Sequence, residues 1–176
     1  KSGFDLMVYD VREAPLRELR GLGAKVACSA KEAAAYGEVV EIAVLDDLQV
    51  ETVLSSENGV FAGAKSGTII AIHSTILPKT LKTIAEKASV KGIVVVDAPI
   101  SGGETGAYEK RLCYMVGGSG EAIEKCREVF ATSGTEILHL GDVGAGTMAK
   151  IVNQILVCIN MLAMFEGLSI AQKVGL

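Results

Sequence analysis

Short, wholly apolar segments alternating with amphipathic helical segments predict a doubly wound α/β fold built on a mostly parallel sheet. Three observations carry this expectation. Residues 39–45, 68–72 and 93–96 are apolar almost throughout, as strands covered on both faces must be. The stretches between them have helical spacing or helical start and stop signals. Polar residues close the apolar runs, at Asp10, Asp46, His73 and Asp97.

Residues 4–9 form a short apolar run that reads as a buried strand ending at Asp10. Residues 13–22 have helical spacing (Leu16, Leu19, Leu22), with Pro15 in the first turn and Gly21 and Gly23 to close it. A second strand is expected at 25–28, and Ser29 caps an alanine-rich helix that runs to Tyr36. After the strand at 39–45, Asp46 and Asp47 are placed to accept the free N–H groups of a helix over 48–54. The strand at 68–72 leads into His73-Ser74-Thr75, and Pro78 opens a helix over 79–88. The strand at 93–96 runs into Asp97-Ala98-Pro99-Ile100-Ser101-Gly102-Gly103. A strand at 112–116, a helix at 121–130 and a strand at 136–140 follow, and then the glycine turn at 141–146 enters a long final helix. That turn is the one candidate boundary, dividing residues 1–143 from 144–176.

Composition limits the classes of function. Hydrophobic residues make up 49% and charged residues 22%, the balance of a folded globule. The net charge of −4 comes from 17 basic and 21 acidic residues spread evenly, with no basic stripe to follow a phosphate backbone, so nucleic acid is not an expected partner. The four cysteines fit no metal-ligand spacing, and with only two histidines no metal site is expected. Those cysteines read as small buried apolar groups in a reducing, cytoplasmic compartment. Residues 148–168 are apolar for about 20 positions, long enough to raise a membrane span. Lys150, Asn153, Gln154, Asn160 and Glu166 interrupt them, which favours a buried helix. Its apolar surface then needs a cover that 176 residues have little left to supply, so a partner chain or further sequence is expected to provide it, with a homo-oligomer joined through this helix.

Ligands of such sheets sit at the carboxyl ends of the strands. Asp10 is placed there, either to bind a ribose or simply to cap the next helix. Ser101-Gly102-Gly103 offers a hydroxyl and successive unobstructed N–H groups, a small anion cradle suited to a carboxylate, or else a tight turn that needs glycine. Lys150 heads an apolar helix, and on that helix Asn153 and Gln154 share its face. An ammonium and two amides there either snorkel to water or converge on one ligand.

Three stretches give a specific resemblance. Asp97-Ala98-Pro99-Ile100-Ser101-Gly102-Gly103-Glu104-Thr105-Gly106-Ala107 resembles the substrate-binding signature of the β-hydroxyacid dehydrogenases. Gly144-Ala145-Gly146-Thr147-Met148-Ala149-Lys150-Ile151-Val152-Asn153-Gln154 resembles their catalytic helix. Leu45-Asp46 and Ser74-Thr75 are similar to their cofactor loops. The resemblance spans essentially the whole chain and implies a Rossmann-like domain followed by the first helix of an all-α domain. It implies an oxidoreductase acting on a small 3-hydroxyacid such as 3-hydroxyisobutyrate, or on the matching semialdehyde. By the same resemblance Lys150 is the general acid/base. Ser101, Gly102 and Gly103 hold the substrate carboxylate, Asn153 and Gln154 flank it, and Leu45, Asp46 and Thr75 line the dinucleotide. Asp10 then meets the adenosine ribose, which favours NAD, while Arg12 leaves NADP possible. Chemistry agrees, because alcohol oxidation needs a base for the hydroxyl proton and an apolar wall lowers the pKa of a lysine.

The chain departs from the family pattern at Asp46, usually proline, and at Gln154, usually asparagine. The glycine-rich phosphate loop and most of the helical domain are not in this sequence. It therefore reads as an internal piece, expected to be inactive alone and to bind cofactor weakly. Two alternatives stand beside this reading. One is a 6-phosphogluconate dehydrogenase-like enzyme, which normally carries histidine where this chain has Asn153. The other is a non-catalytic nucleotide-binding or oligomerisation module.

Overall fold

The computed structural model describes residues 2–176. Strand β1 (Met7–Val8) is followed by α1 (Glu13–Gly21), β2 (Lys25–Val26), α2 (Ala30–Tyr36), β3 (Val39–Ile42) and α3 (Asp47–Ser55). Next come α4 (Val60–Gly63), β4 (Ile69–Ile72), α5 (Pro78–Ser89), β5 (Val94–Asp97), β6 (Ile100–Ser101) and α6 (Gly103–Tyr108). The chain ends with β7 (Leu112–Gly117), α7 (Gly120–Phe130), β8 (Gly134–Gly141) and α8 (Ala145–Lys173). The expected alternation of strands and helices is present. The short elements α4, β6 and α6 were not expected, because none is long enough to show a hydrophobic period.

The strands form two sheets rather than one. β1 and β2 pair in parallel as a separate ribbon, and the main sheet holds the other six strands. Within it β3, β4 and β5 are parallel. β7 is antiparallel to β5 and β6 and parallel to β8. Asp97 faces Gly117, Ile100 faces Tyr114 and Ser101 faces Cys113, one unbroken register along one side of β7. The Met115 N–H bonds the Pro99 carbonyl at 3.0 Å in the interruption. Residues 94–101 thus behave as one strand with a break at Ala98–Pro99, and the break brings Ser101 alongside Cys113.

Both faces of the main sheet are covered, which explains its continuous apolar runs. Ile70 and Ile72 of β4 pack with Val50, Leu54, Leu81 and Ile84 from α3 and α5. Their neighbours Ile69 and Ala71 point the other way, to a core with Tyr114, Val116, Ile123 and Phe130. Tyr114 stacks on Phe130 with centroids 4.6 Å apart, and the His73 ring meets both edge-on. Of the cysteines only Cys126 is buried, and burial pushes its thiol up to about 12. Cys113 is half-buried, whereas Cys28 and Cys158 are exposed, which corrects the expectation that all four are core groups.

α8 is left largely uncovered within this chain, as the need for an outside cover implied. Only Gly146, Thr147 and Lys150 of its 29 residues are buried, so it is anchored at its head and not enclosed along its length. Ile155, Leu156, Ile159, Leu162, Phe165 and Leu168 are exposed. By length and composition alone this helix could cross a membrane.

The anchor is a close approach of α8 to β7. A Cβ added at Gly146 would overlap the Met115 carbonyl and lie 3.0 Å from the Gly117 nitrogen, both rigid backbone. Gly146→Ala should therefore lift the helix from the sheet and lower stability by about 3 kcal/mol in urea denaturation. Gly167→Ala, where an added methyl meets nothing within 4 Å, should be neutral or stabilising by up to about 1 kcal/mol.

Candidate functional site

The head of α8 has no cap of its own. Gly144, at φ +102°, occupies the cap position and brings no side chain. The cap comes from Asp97, 47 residues earlier at the end of β5. Its carboxylate accepts the Gly144 N–H at 2.7 Å and the Thr147 N–H at 2.7 Å. These are two of the N–H groups that a helix start leaves unpaired. Asp97 is fully buried, with 0% exposure. Burial pushes its carboxyl above the ordinary aspartate range, and the N–H groups of Gly144 and Thr147 oppose that rise. A carboxylate at a helix amino terminus also meets the positive end of the helix dipole.

From this anchor α8 runs back along β7. Its start lies against Gly117, where the Ala145 nitrogen and Asp142 carbonyl approach, and Gly146 lies on the Met115 carbonyl. Four helical residues advance about 6 Å, and two strand residues about 6.7 Å. Lys150 therefore stands over Cys113, two residues before Met115 and on the same face. The charge of Lys150 acts on the Cys113 thiol, and Cys113 acts on Lys150 in return. Because Cys113 is opposite Ser101 in an antiparallel pair, their side chains share that face. Lys150, Cys113 and Ser101 are thus brought to one place from α8, β7 and β6.

Lys150 is 9% exposed. Among the described residues it enters no ion pair, and its amine is not among the buried atoms left without a partner, so its tip keeps contact with water. Burial holds its pKa below the usual lysine value of 10.5, and Cys113 opposes the shift slightly. Asn153 is half-buried and Gln154 exposed, with the Asn153 amide donating to Gln154 at 3.5 Å. Beside Ser101, Gly102 has φ +128° and Gly103 φ +63°, so both glycines are required by the backbone. Gly103 opens onto free space, and Gly102 caps α6 with no side chain over its first N–H groups.

The other residues lie at strand ends. Both carboxylate oxygens of Asp10 are taken by Arg12, through its backbone N–H at 2.8 Å and its guanidinium at 3.2 Å and 3.3 Å. Arg12 holds that carboxyl below its usual range. Leu45 is 86% exposed and gives its N–H to Gln49. Asp46 caps α3 by accepting the Gln49 N–H at 2.8 Å. Asp47 was expected to serve the same helix; it instead accepts the Leu77 N–H at 3.0 Å, joining α3 to the start of α5. Thr75 is exposed and lines an open groove of about 460 Å³ with Ile151, Gln154, Ile155, Cys158 and Ile159. Ser74, which no sequence argument singled out alone, is buried beneath these loops. Its hydroxyl donates to the Val44 carbonyl at 2.7 Å and accepts the Val44 N–H at 2.9 Å. Among the described residues, no group of three or more His, Cys, Asp or Glu could hold a metal ion.

The family described as the NAD binding domain of 6-phosphogluconate dehydrogenase matches residues 1–141. The chain belongs to that family. Residues 1–141 are therefore an NAD-binding domain. Family members similar over the whole chain are 3-hydroxyisobutyrate dehydrogenase-like. The 2-(hydroxymethyl)glutarate dehydrogenase of Eubacterium barkeri is 36% identical over 176 residues, covering 100% of this chain and 58% of that protein. The 3-hydroxyisobutyrate dehydrogenase of Pseudomonas aeruginosa is 35% identical over the same span, 59% of its length. A Mycobacterium tuberculosis 3-hydroxyisobutyrate dehydrogenase, solved with L-serine, superposes with a TM-score of 0.91 at 29% identity, over 99% of this chain and 59% of that one. The chain thus spans somewhat more than half the length of the relatives it matches.

The residues present fit a dinucleotide. Ser74 ties the loop after β4 to Val44 after β3, and Leu45 and Thr75 are exposed beside that tie. The anchor beneath the site is directly testable. Asp97→Ala leaves two N–H groups without their acceptor and should cost about 2–3 kcal/mol. Asp97→Asn removes the charge but keeps one acceptor. The folded-state pKa of Asp97 is raised, so folding takes up a proton, and the wild type loses stability as pH rises from 3.8 through that raised value. Stability measured against pH should show Asp97→Asn gaining on the wild type over that rise.

Proposed function

We propose that this chain carries the catalytic centre of an NAD(P)-dependent dehydrogenase that oxidises a small 3-hydroxyacid, 3-hydroxyisobutyrate or a close analogue, or reduces the matching semialdehyde. One observation supports it above the rest: a buried lysine with no anionic partner stands one strand pair from a serine followed by two exposed glycines, the second facing free space. Such a lysine lacks only an anion, and a substrate carboxylate held nearby supplies one. The names of the relatives, a hydroxymethyl acid dehydrogenase and a 3-hydroxyacid dehydrogenase, favour the same substrate class.

In this reading Ser101, Gly102 and Gly103 hold the carboxylate by the hydroxyl and the backbone N–H groups. Asn153 and Gln154 flank the substrate and orient its hydroxyl towards Lys150. Lys150, in its neutral form, takes the hydroxyl proton during oxidation and returns it during reduction. The nicotinamide, when bound, supplies hydride acceptance and donation. Leu45, Asp46 and Thr75 line the dinucleotide, and Asp10 turns from Arg12 to the adenosine ribose. NAD is preferred, since the Asp10 carboxylate repels a 2′-phosphate. Residues 144–176 begin the helical part of the whole protein, and the apolar face of α8 supports self-association. Four free cysteines fit a reducing cytoplasm.

In the whole protein, Lys150→Ala should lower kcat for 3-hydroxyisobutyrate by roughly 10²–10⁴. A near-normal rate would remove Lys150 as the base. Oxidation should rise with pH through a value below 10.5, because burial lowers the lysine pKa and only the neutral amine accepts the proton.

A further inference from the structure

Cys113 has no part in the chemistry assigned so far, yet it lies between the two groups that do. It is half-buried on β7, shares a sheet face with Ser101, and lies beneath the turn of α8 that carries Lys150. Lys150 is 9% exposed and pairs with no carboxylate among the described residues, its amine tip keeping contact with water. The side chain on the sheet beneath its turn is a cysteine, in register with Ser101 on one side and Glu136 on the other.

We infer that Cys113 is a positioning residue for Lys150: its small uncharged side chain occupies the space beneath the amine, denies it an internal counter-ion, and keeps the gap to Ser101 open for the substrate. This deepens the function proposed above and rests on it. A carboxylate at 113 would pair with the ammonium, hold its proton and repel an acidic substrate. A bulky residue would fill the gap. A thiol does neither, being weakly polar and close to Ala or Ser in size.

The groups facing this pair are few. Lys150 faces Cys113 from α8, Ser101 faces it from β6, and Glu136 is its register partner on β8. Glu136 and burial both raise the Cys113 thiol, while Lys150 lowers it. The thiol is therefore protonated near neutrality and offers Lys150 no charge. Should it ionise at high pH, the thiolate would return Lys150 to the ammonium, so the two groups are coupled and the coupling is reciprocal.

The test needs no turnover and uses the 176-residue chain. Lysines are reductively methylated with ¹³C-formaldehyde, and the Lys150 signal, assigned by its loss in Lys150→Met, is titrated by NMR. Cys113→Asp should raise the Lys150 midpoint by at least one pH unit, a tenfold gain in proton affinity. Cys113→Ser should leave it nearly where it is. A midpoint that Cys113→Asp does not move overturns the inference. A second measurement covers the case in which Cys113→Asp does not fold. In a background of Cys28→Ser and Cys158→Ser, the pH at which iodoacetamide alkylation of Cys113 reaches half its limiting rate should rise in Lys150→Met, and an unchanged value again overturns the inference. Neither result depends on Lys150 being the base, so loss of turnover in Lys150→Ala and movement of these midpoints report on the two proposals separately.

Discussion

Everything in the site hangs from one buried carboxylate. Asp97 ends β5 and, with no exposure to water, takes the two N–H groups that open α8. Burying a charge at the end of an apolar strand is unfavourable by itself, as its raised pKa shows. The compensation is geometric. Asp97 pins a helix of 29 residues at its first turn, and so decides where every side chain of the next turn stands. Gly146 supplies the other half of the joint by letting the helix backbone rest on β7. With those two constraints set, Lys150 has no freedom in which strand it overlies.

The same joint explains why a lysine is tolerated there. A surface lysine would be free to seek water, but one turn after a pinned helix start the side chain is directed at the sheet. Burial then lowers its pKa. The break at Ala98–Pro99 performs the complementary task, carrying residues 94–101 past the end of β5 while keeping a single register against β7. One strand thus provides the helix anchor at Asp97 and the serine at Ser101. The helix anchor and the proposed substrate serine share a few residues of chain, so a change at Asp97 shifts both.

Much of this could be read before any coordinates. Continuous apolar runs such as 69–72 and 93–96 signalled a sheet covered on both faces, and the buried Ile69 to Ile72 show why. Ser29, Asp46 and Pro78 marked helix starts, because those signals are local. The Lys150 and Ser101 motifs were visible as patterns, but their proximity was not, since it depends on a register between β6 and β7 that no local spacing encodes. Asp97 was seen as the polar end of an apolar run and the first residue of the Ser101 motif, and not as a helix cap, for its partners lie 47 and 50 residues away. Cys113 was read as a core thiol, because its role depends on what α8 places over it. The separate β1–β2 ribbon was missed for a related reason, and the need of α8 for a cover was legible while the cover was not: hydrophobicity indicates what should be covered, and not what covers it.

Amide hydrogen exchange at Thr147 tests the Asp97 anchor most directly. If the buried carboxylate holds the start of α8, this N–H exchanges as slowly as the β7 core amides, and in Asp97→Ala it becomes fast while those β7 amides stay protected. Rapid exchange of Thr147 in the wild type, or protection that persists when Asp97 is replaced by alanine, would contradict the account.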